Sequence, residues 1–522
     1  MKNKWSCLAV CCLATLLLSL DLTVLHLALP TLVTDLGANS TQLLWIGDMY
    51  GFALAGLLVT MGNLGDRIGR KRLLLIGAAT FGAASAVTAY APNPELLIAA
   101  RALLGVAGAT IMPSTLSIVR NVFTEPGERT AAIGIWSGMS AAGFAVGPVV
   151  GGLLLGHFWW GSVFLINVPI MLLVLAAGFM VLPESRNPRA GRIDLASAAL
   201  SFGGVVTAVY AVKEGAHKGI VADPATLLIV ADPATLLVEH ADVLVAGAAG
   251  VLLLGLFVWR QTRLAEPMID VRLFTRRAFS ASILTNLLAI FTMSAMMLMF
   301  GWYLQLVLGW TPLEAGLAQL PGGLSGAVGG ILAARLVRRI GRNGVVALGL
   351  AMNAGSFLYY STLGVSLNYL TLLPFLIIGG LGIGFTFTVN NDNVLATAPK
   401  ERAGAAAAVS ETAFELGGAL GIAILGTVLN TAYRAGLDAT ATSVATGEAR
   451  ESIAGAMRAA LALPAEEAAT LVRAARAAFI DGLHLTSLVT SGLLLVVALV
   501  ALVGLRGVPK VIPEEAQENA LP

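Results

Sequence analysis

The chain has 522 residues, 57% of them hydrophobic and only 12% charged, with 32 Lys and Arg against 30 Asp and Glu. With a mean hydropathy of +0.84, this excludes a soluble globular protein of that length and leaves a polytopic membrane protein. A net charge of +2 gives no reason to expect a nucleic-acid partner; the placement of the charges says more than their sum.

The N-terminus, Lys2-Asn3-Lys4-Trp5, resembles the start of a signal peptide. The apolar run after it is too long and no small-residue cleavage site follows, so it is read as an uncleaved first span, about 6–30. Cys7, Cys11 and Cys12, the only cysteines, fall inside it, so no structural disulfide is expected. Asp21 lies mid-span. A carboxylate there costs roughly 2.5–3.5 kcal/mol on insertion scales, and such residues face a bundle interior or watery cavity and mark an ion or substrate path. A structural Asp bonded to a neighbouring helix is the plainer alternative. His26 is a candidate cavity residue on a proton path, or a packed histidine.

Hydropathy predicts thirteen further spans, fourteen in all: about 43–63, 73–91, 95–119, 131–155, 162–182, 194–213, 243–262, 279–301, 313–335, 344–363, 369–391, 406–430 and 483–505. An even count puts both termini on one side. That side holds 24 of the 32 Lys and Arg, so the positive-inside rule makes it cytoplasmic. Arg101 is the one basic residue within a span. Arg67-Ile68-Gly69-Arg70 and Arg339-Ile340-Gly341-Arg342 follow the second and tenth spans. If the seventh and eighth spans are an insertion, each tetrapeptide ends the second helix of a six-helix half, a repeat architecture used by transporters. The expected divisions are a six-helix bundle over 1–182, two inserted helices with their linkers over 183–277, and a second six-helix bundle over 278–522. Residues 221–229 repeat almost unchanged as 230–238, and no function is assigned to them. The long external loop, 431–482, is expected to form a helical hairpin divided at Pro464, either shielding the outer mouth or passive.

Gly62-Asn63-Leu64-Gly65-Asp66-Arg67-Ile68-Gly69-Arg70-Lys71-Arg72 lies between the second and third spans. Its glycines permit a tight turn, and its charges suit helix ends whose bonding holds one conformation of a bundle. In the fifth span Gly143, Gly147 and Gly151 recur every four residues, giving a smooth face for close helix approach. Pro148 removes a backbone hydrogen bond and can kink that helix.

The Gly62–Arg72 loop resembles the signature of the major facilitator superfamily. Leu20-Asp21-Leu22-Thr23-Val24-Leu25-His26-Leu27-Ala28-Leu29-Pro30 resembles the first-helix motif of its fourteen-helix drug:proton antiporters. Arg101-Ala102-Leu103-Leu104-Gly105-Val106-Ala107-Gly108 is similar to their fourth-helix motif, whose Arg is implicated in proton transfer, and Gly143–Gly152 is similar to the fifth-helix antiporter motif. Leu44–Tyr50, Phe164–Pro169 and Met268–Phe274 resemble the quaternary-ammonium and cationic-biocide exporters. The resemblance covers almost the whole chain and implies an all-α major facilitator fold with fourteen membrane helices in a bacterial cytoplasmic membrane. It also implies export of lipophilic cations in exchange for protons, with no cofactor beyond the proton gradient and no enzymatic activity.

Glu411 and Glu415 share one face of the thirteenth span, and relatives in that family carry acids at these two places. Both sit toward the cytoplasmic half, so an interfacial role stays open. Asp48 and Asp392 are candidate cavity residues with structural alternatives. Where some relatives carry an Asp in the tenth span, this chain has Gly326. The Met293–Met299 cluster with Phe291, Phe300 and Trp302 reads as packing or as padding of a drug pocket. The expected coupling residues are therefore Asp21, Arg101, Glu411 and Glu415, in a monomer surrounded by membrane lipid. Proton and lipophilic cation would compete for the Asp21 carboxylate while the two halves rock. An exporter of one endogenous metabolite or antibiotic, and a transporter-like sensor, are the rival readings.

Overall fold

The structure, a computed structural model, describes residues 4–37, 40–186, 194–217, 240–264, 267–398, 403–440, 447–506 and 508. The 221–238 duplication lies outside them, as do the side chains of His26, Asp48 and Pro148. The helices in chain order are α1 (Lys4–Leu36), α2 (Ser40–Ile68), α3 (Arg70–Ala89), α4 (Pro94–Val122), α5 (Pro126–His157), the single turn α6 (Ser162–Leu165) and α7 (Asn167–Val181). Then come α8 (Leu195–His217), α9 (Ala241–Arg263), α10 (Arg277–Trp302), α11 (Pro312–Tyr360), α12 (Tyr369–Thr397) and α13 (Ala403–Thr440). The short α14 (Gly447–Glu451) and α15 (Ile453–Ala460) precede α16 (Ala465–Gly504). No strand occurs among the described residues.

Among those residues twelve helices are long and apolar enough to cross a membrane, against the fourteen spans expected. The 49-residue α11 is two helices joined at Gly341, whose φ of 79° breaks the run; α5, 32 residues long, is not among the twelve. Starts follow local chemistry. Asn93 caps α4 by accepting from Leu96 N at 2.9 Å, and Thr311 with Glu314 forms a reciprocal capping box on α11.

Helices α1–α7 pack as one bundle and α10–α13 with α16 as another. The bundles meet along two seams, α5 against α11 and α2 against α13. Seam one is backbone on backbone: a Cβ on Gly134 would lie 2.2 Å from the Gly330 carbonyl oxygen, and one on Gly138 2.4 Å from Ala327 Cα. Seam two is covered by α8, which packs on both α2 and α13. Phe52, Ala55, Val205 and Val209 form a small core there, and α9 packs on the outside of α8. The bases of these two inserted helices are tied by Arg260, whose Nε donates to Asp194 Oδ2 at 2.6 Å. This bond holds the Asp194 carboxyl well below its usual range.

Two expectations need adjusting. Within 431–482 the division at Pro464 is present, as the N-cap of α16 against which α15 packs. The flanking helices are longer than expected, α13 running on to Thr440 and α16 beginning at Ala465, with the short α14 and α15 between them. Similarly, α2 continues to Ile68, so Gly62 and Gly65 are helical. The turn into α3 rests on Gly69 alone, at φ 114°.

Candidate functional site

Asp21 is not open to a cavity. It is 2% exposed and pairs with Arg101, whose Nη1 donates to Asp21 Oδ2 at 3.0 Å. Asn167 Nδ2 donates to the other carboxylate oxygen at 2.7 Å and also reaches Ser85 Oγ at 3.2 Å. Arg101 Nε donates to the Ile46 carbonyl at 3.2 Å, and the guanidinium lies 4.8 Å from the Tyr50 ring centroid. The glycines of the fourth-helix motif explain how α2 comes so near. A Cβ on Gly105 would sit 2.4 Å from Tyr50 O, and one on Gly108 would sit 2.9 Å from the Tyr50 hydroxyl. Arg101 and Asp21 are thus brought together, and in this state each satisfies the other. Asn167 and Tyr50, which complete the cluster, were visible in the sequence only as parts of similar segments.

The fifth-helix glycines set the position of α1. A Cβ on Gly143 would lie 2.6 Å from Leu16 O, and one on Gly147 only 1.8 Å from Thr23 Oγ1. Gly151 is buried on the same helix. With Gly134 and Gly138 facing α11, α5 is a glycine-faced helix on two sides, and the second side was not read from the sequence.

The Arg-rich side of the molecule is bonded shut. Asp66, 4% exposed, accepts from Arg70 Nε at 2.9 Å and Nη2 at 2.7 Å. Its other oxygen accepts from Ala405 N at 3.3 Å, in the first turn of α13, where a carboxylate meets the positive end of the helix. Arg67, from the same motif, is exposed. Arg120 Nη2 donates to the Ala398 carbonyl at 2.6 Å, again between bundles. Asp392 belongs to this closure and not to a cavity, which corrects its expected place. It is fully buried, and accepts from Arg129 Nε at 2.9 Å and Thr130 Oγ1 at 3.0 Å on the first bundle. It also pairs with Arg342 Nη1 at 2.8 Å on its own bundle. Arg342 ends the second of the two repeated tetrapeptides, so both repeats place their last Arg on a buried Asp.

Away from the Arg-rich side, between the bundles, lies a cavity of about 550 Å³. Leu22 and Thr23 of α1, Phe52 of α2, Val209 of α8, Met297 and Trp302 of α10 and Glu415 of α13 line it, and Ala454 of α15 contributes at its outer end. Two smaller pockets adjoin it. One, of about 50 Å³, holds Glu411 with Trp136, Ser140, Asn286, Asn391 and Ser410, and shares Phe414 with the main cavity. The other, of about 140 Å³, lies within the second bundle. The two glutamates therefore face cavities. Glu411 is 7% exposed, and no hydrogen bond or ion pair to it is seen among the described residues. The methionine and aromatic cluster is divided. Met293, Met297 and Trp302 line cavities, while Phe291 and Met299 are buried in the second core.

Residues 11–422 match the family profile described as Major Facilitator Superfamily. The chain belongs to this superfamily. This facilitator is 44% identical over 506 residues to the multidrug efflux pump LfrA of Mycolicibacterium smegmatis, covering 97% of each chain. It is 36% identical over 510 residues to the methyl viologen resistance protein SmvA of Salmonella typhimurium, covering 96% of this chain and 98% of that one. The human organic anion transporter MFSD10 (TETRAN) superposes with a TM-score of 0.63 over 96% of this chain and 100% of its own, at 15% identity, which shows a shared fold. The facilitator is a multi-pass membrane transporter.

Proposed function

We propose that this facilitator is a proton-coupled antiporter that exports lipophilic cationic drugs, dyes and quaternary-ammonium biocides, with its Arg-rich side in the cytoplasm. One observation carries the reading: Glu411 is buried in a polar and aromatic pocket with no cation beside it among the described residues. An ionised carboxylate removed from water without a partner is costly. Glu411 therefore holds either a proton or a cationic ligand, and exchange of one for the other is antiport. Glu415, one helical turn away on the main cavity wall, offers a second charge on the same face. Methyl viologen, named in one relative, is a dication of two linked pyridinium rings, and a pair of glutamates suits such a ligand.

The cavity's size falls within the range of small-molecule sites, and its Met and aromatic walls give non-directional contact that suits varied substrates. The Asp21–Arg101 pair is assigned to coupling. It sits directly behind Leu22 and Thr23, which line the cavity, so a proton arriving at Asp21 frees Arg101 and loosens α1 against α4. Opening the Asp66, Arg120 and Asp392 contacts exposes the cavity to the cytoplasm, and closing them returns it to the outside.

The test is ethidium uptake into inverted membrane vesicles on energisation, repeated with a protonophore. Uptake should collapse with the protonophore, and substrate addition should release protons from the vesicle lumen. Uptake that survives the protonophore removes proton coupling; no uptake of any cation removes the substrate class.

A further inference from the structure

The 140 Å³ pocket lies off the main cavity, enclosed by α10, α11 and α12 of the second bundle. Its aromatic wall is a stack: the Phe300 and Tyr360 rings lie 4.9 Å apart at 12°, and Phe357 tilts against Tyr360 at 5.7 Å. Met293, Met296 and Met297, on the same helix as Phe300, also line the pocket, as do Gly322, Gly326 and Gly379. Four polar side chains line it, Gln319, Asn353, Ser356 and Tyr360, and each of the first three donates to a backbone carbonyl. Gln319 Nε2 donates to Ala315 O at 3.1 Å, Asn353 Nδ2 to Gly349 O at 3.0 Å and Ser356 Oγ to Phe375 O at 2.8 Å. No acid is among the lining residues. With no carboxylate to pair with a charge and walls that are mostly apolar, the pocket suits an aromatic ring, and the full charge of a cation is better met at the glutamates beyond it.

We propose that this pocket is a subsite for a single aromatic ring of the exported cation, separate from the compartments that hold its charge. The size agrees: an apolar cavity of roughly 150 Å³ takes up benzene, so a single ring is enough to fill this one. The chemistry agrees too. Edge-to-face contact with Phe300, Phe357 and Tyr360 and sulfur contact with the methionines favour an aryl group over an alkyl chain of similar area. The connections fix where the charge goes. Met297 and Gln319 line both this pocket and the Glu415 cavity, while Met293, Gly326 and Ile383 are shared with the Glu411 pocket. A ring lodged here leaves its cationic end on the threshold of either carboxylate. The preferred ligand is thus a cation whose single aryl arm enters this pocket while its charge stays beside a carboxylate. This assignment rests on the export reading above and refines its substrate class.

The test is equilibrium binding to the purified full-length protein in detergent, with benzyltrimethylammonium, hexyltrimethylammonium and naphthylmethyltrimethylammonium as probes. Leu376 lines this pocket and neither of the others. Leu376→Trp should fill it and weaken the benzyl probe roughly tenfold while leaving the hexyl probe within about twofold. Leu376→Phe, a smaller addition, should give the same ordering more weakly and guards against misfolding of the larger variant. Met296→Ala should enlarge the pocket and improve the naphthyl probe relative to the benzyl one. Equal weakening of benzyl and hexyl probes by both Leu376 variants, or no change in either, overturns the subsite. Binding that follows the predicted pattern in a protein that fails the vesicle assay would leave the subsite standing and remove only the antiport reading.

Discussion

Asp21→Asn is the sharpest test of the buried pair. The substitution keeps the shape of the side chain and removes its charge, leaving the Arg101 guanidinium, 1% exposed, without the carboxylate 3.0 Å away. Removing one member of a buried pair costs about 3–5 kcal/mol. Arg101 retains the Ile46 carbonyl and the Tyr50 ring, and a desolvated cation–π contact is worth up to roughly 2 kcal/mol, so the expected loss lies near the lower end, about 3 kcal/mol. Arg101→Gln should cost less, because a stranded carboxylate can accept a proton whereas a guanidinium cannot give one up. The double variant Asp21→Asn with Arg101→Gln should return to within about 1 kcal/mol of the parent, since neither charge remains. Thermal unfolding of the four detergent-purified proteins reads the stabilities, and ethidium efflux reads function. The expected pattern is an unstable Asp21→Asn, a stable double variant, and no coupled export from either. If Asp21→Asn unfolds like the parent, or the double variant is no more stable than Asp21→Asn, the pair does not hold α1 to α4 as described.

Gly147→Ala should destabilise by about 1–3 kcal/mol through overpacking against Thr23, and Thr23→Ala in that background should recover most of the loss in thermal melts. Additive effects would show that the two residues do not meet. Glu411→Gln should weaken export of bis-cationic biocides far more than export of ethidium-like monocations, compared as resistance at matched expression; equal losses would assign Glu411 to proton coupling alone. Asp392→Asn leaves Arg129 and Arg342, from opposite bundles, without their shared anion. It should therefore lengthen the spin-label distance between Thr124 and Arg339, both exposed on the Arg-rich surface, and an unchanged distance would show that this cluster does not hold the side shut.

What the sequence disclosed and what it withheld divide along physical lines. Span positions, the Arg-rich side and the glycine motifs depend on local composition and spacing, and they were legible. So were the residues too costly to be accidental in a membrane: Asp21, Arg101, Glu411 and Glu415. Which costly residues compensate one another was not. Asp21 and Arg101 are 80 positions apart, and Asp392 lies 263 positions from Arg129; no spacing rule links them. Asp392 and Glu411 both looked like acids at a span end, yet one is locked between two guanidiniums and the other is left facing a pocket. Gly134 and Gly138 escaped notice because their meaning lies in the opposing backbone at Gly330 and Ala327. Helix ends were misplaced at α13 and α16, because hydropathy reports where the apolar stretch stops and not where helical hydrogen bonding does.

The two seams are unequal, and α8 makes them so. At Gly56 a side chain would meet Phe202 at 2.7 Å, so α8 is interlocked with α2 and travels with the first bundle. Its contact with α13 runs through Leu416 and Ala419, a shallower surface that can slide. If the bundles part as proposed, α8 would move like a curtain fixed at one edge, carrying Val209 away from the far wall of the cavity. Lipid acyl chains would then compete for the space that a substrate occupies. A substrate's residence in the pocket would respond to bilayer thickness and chain saturation on this flank, while the glycine-welded flank at α5 and α11 stays indifferent to them.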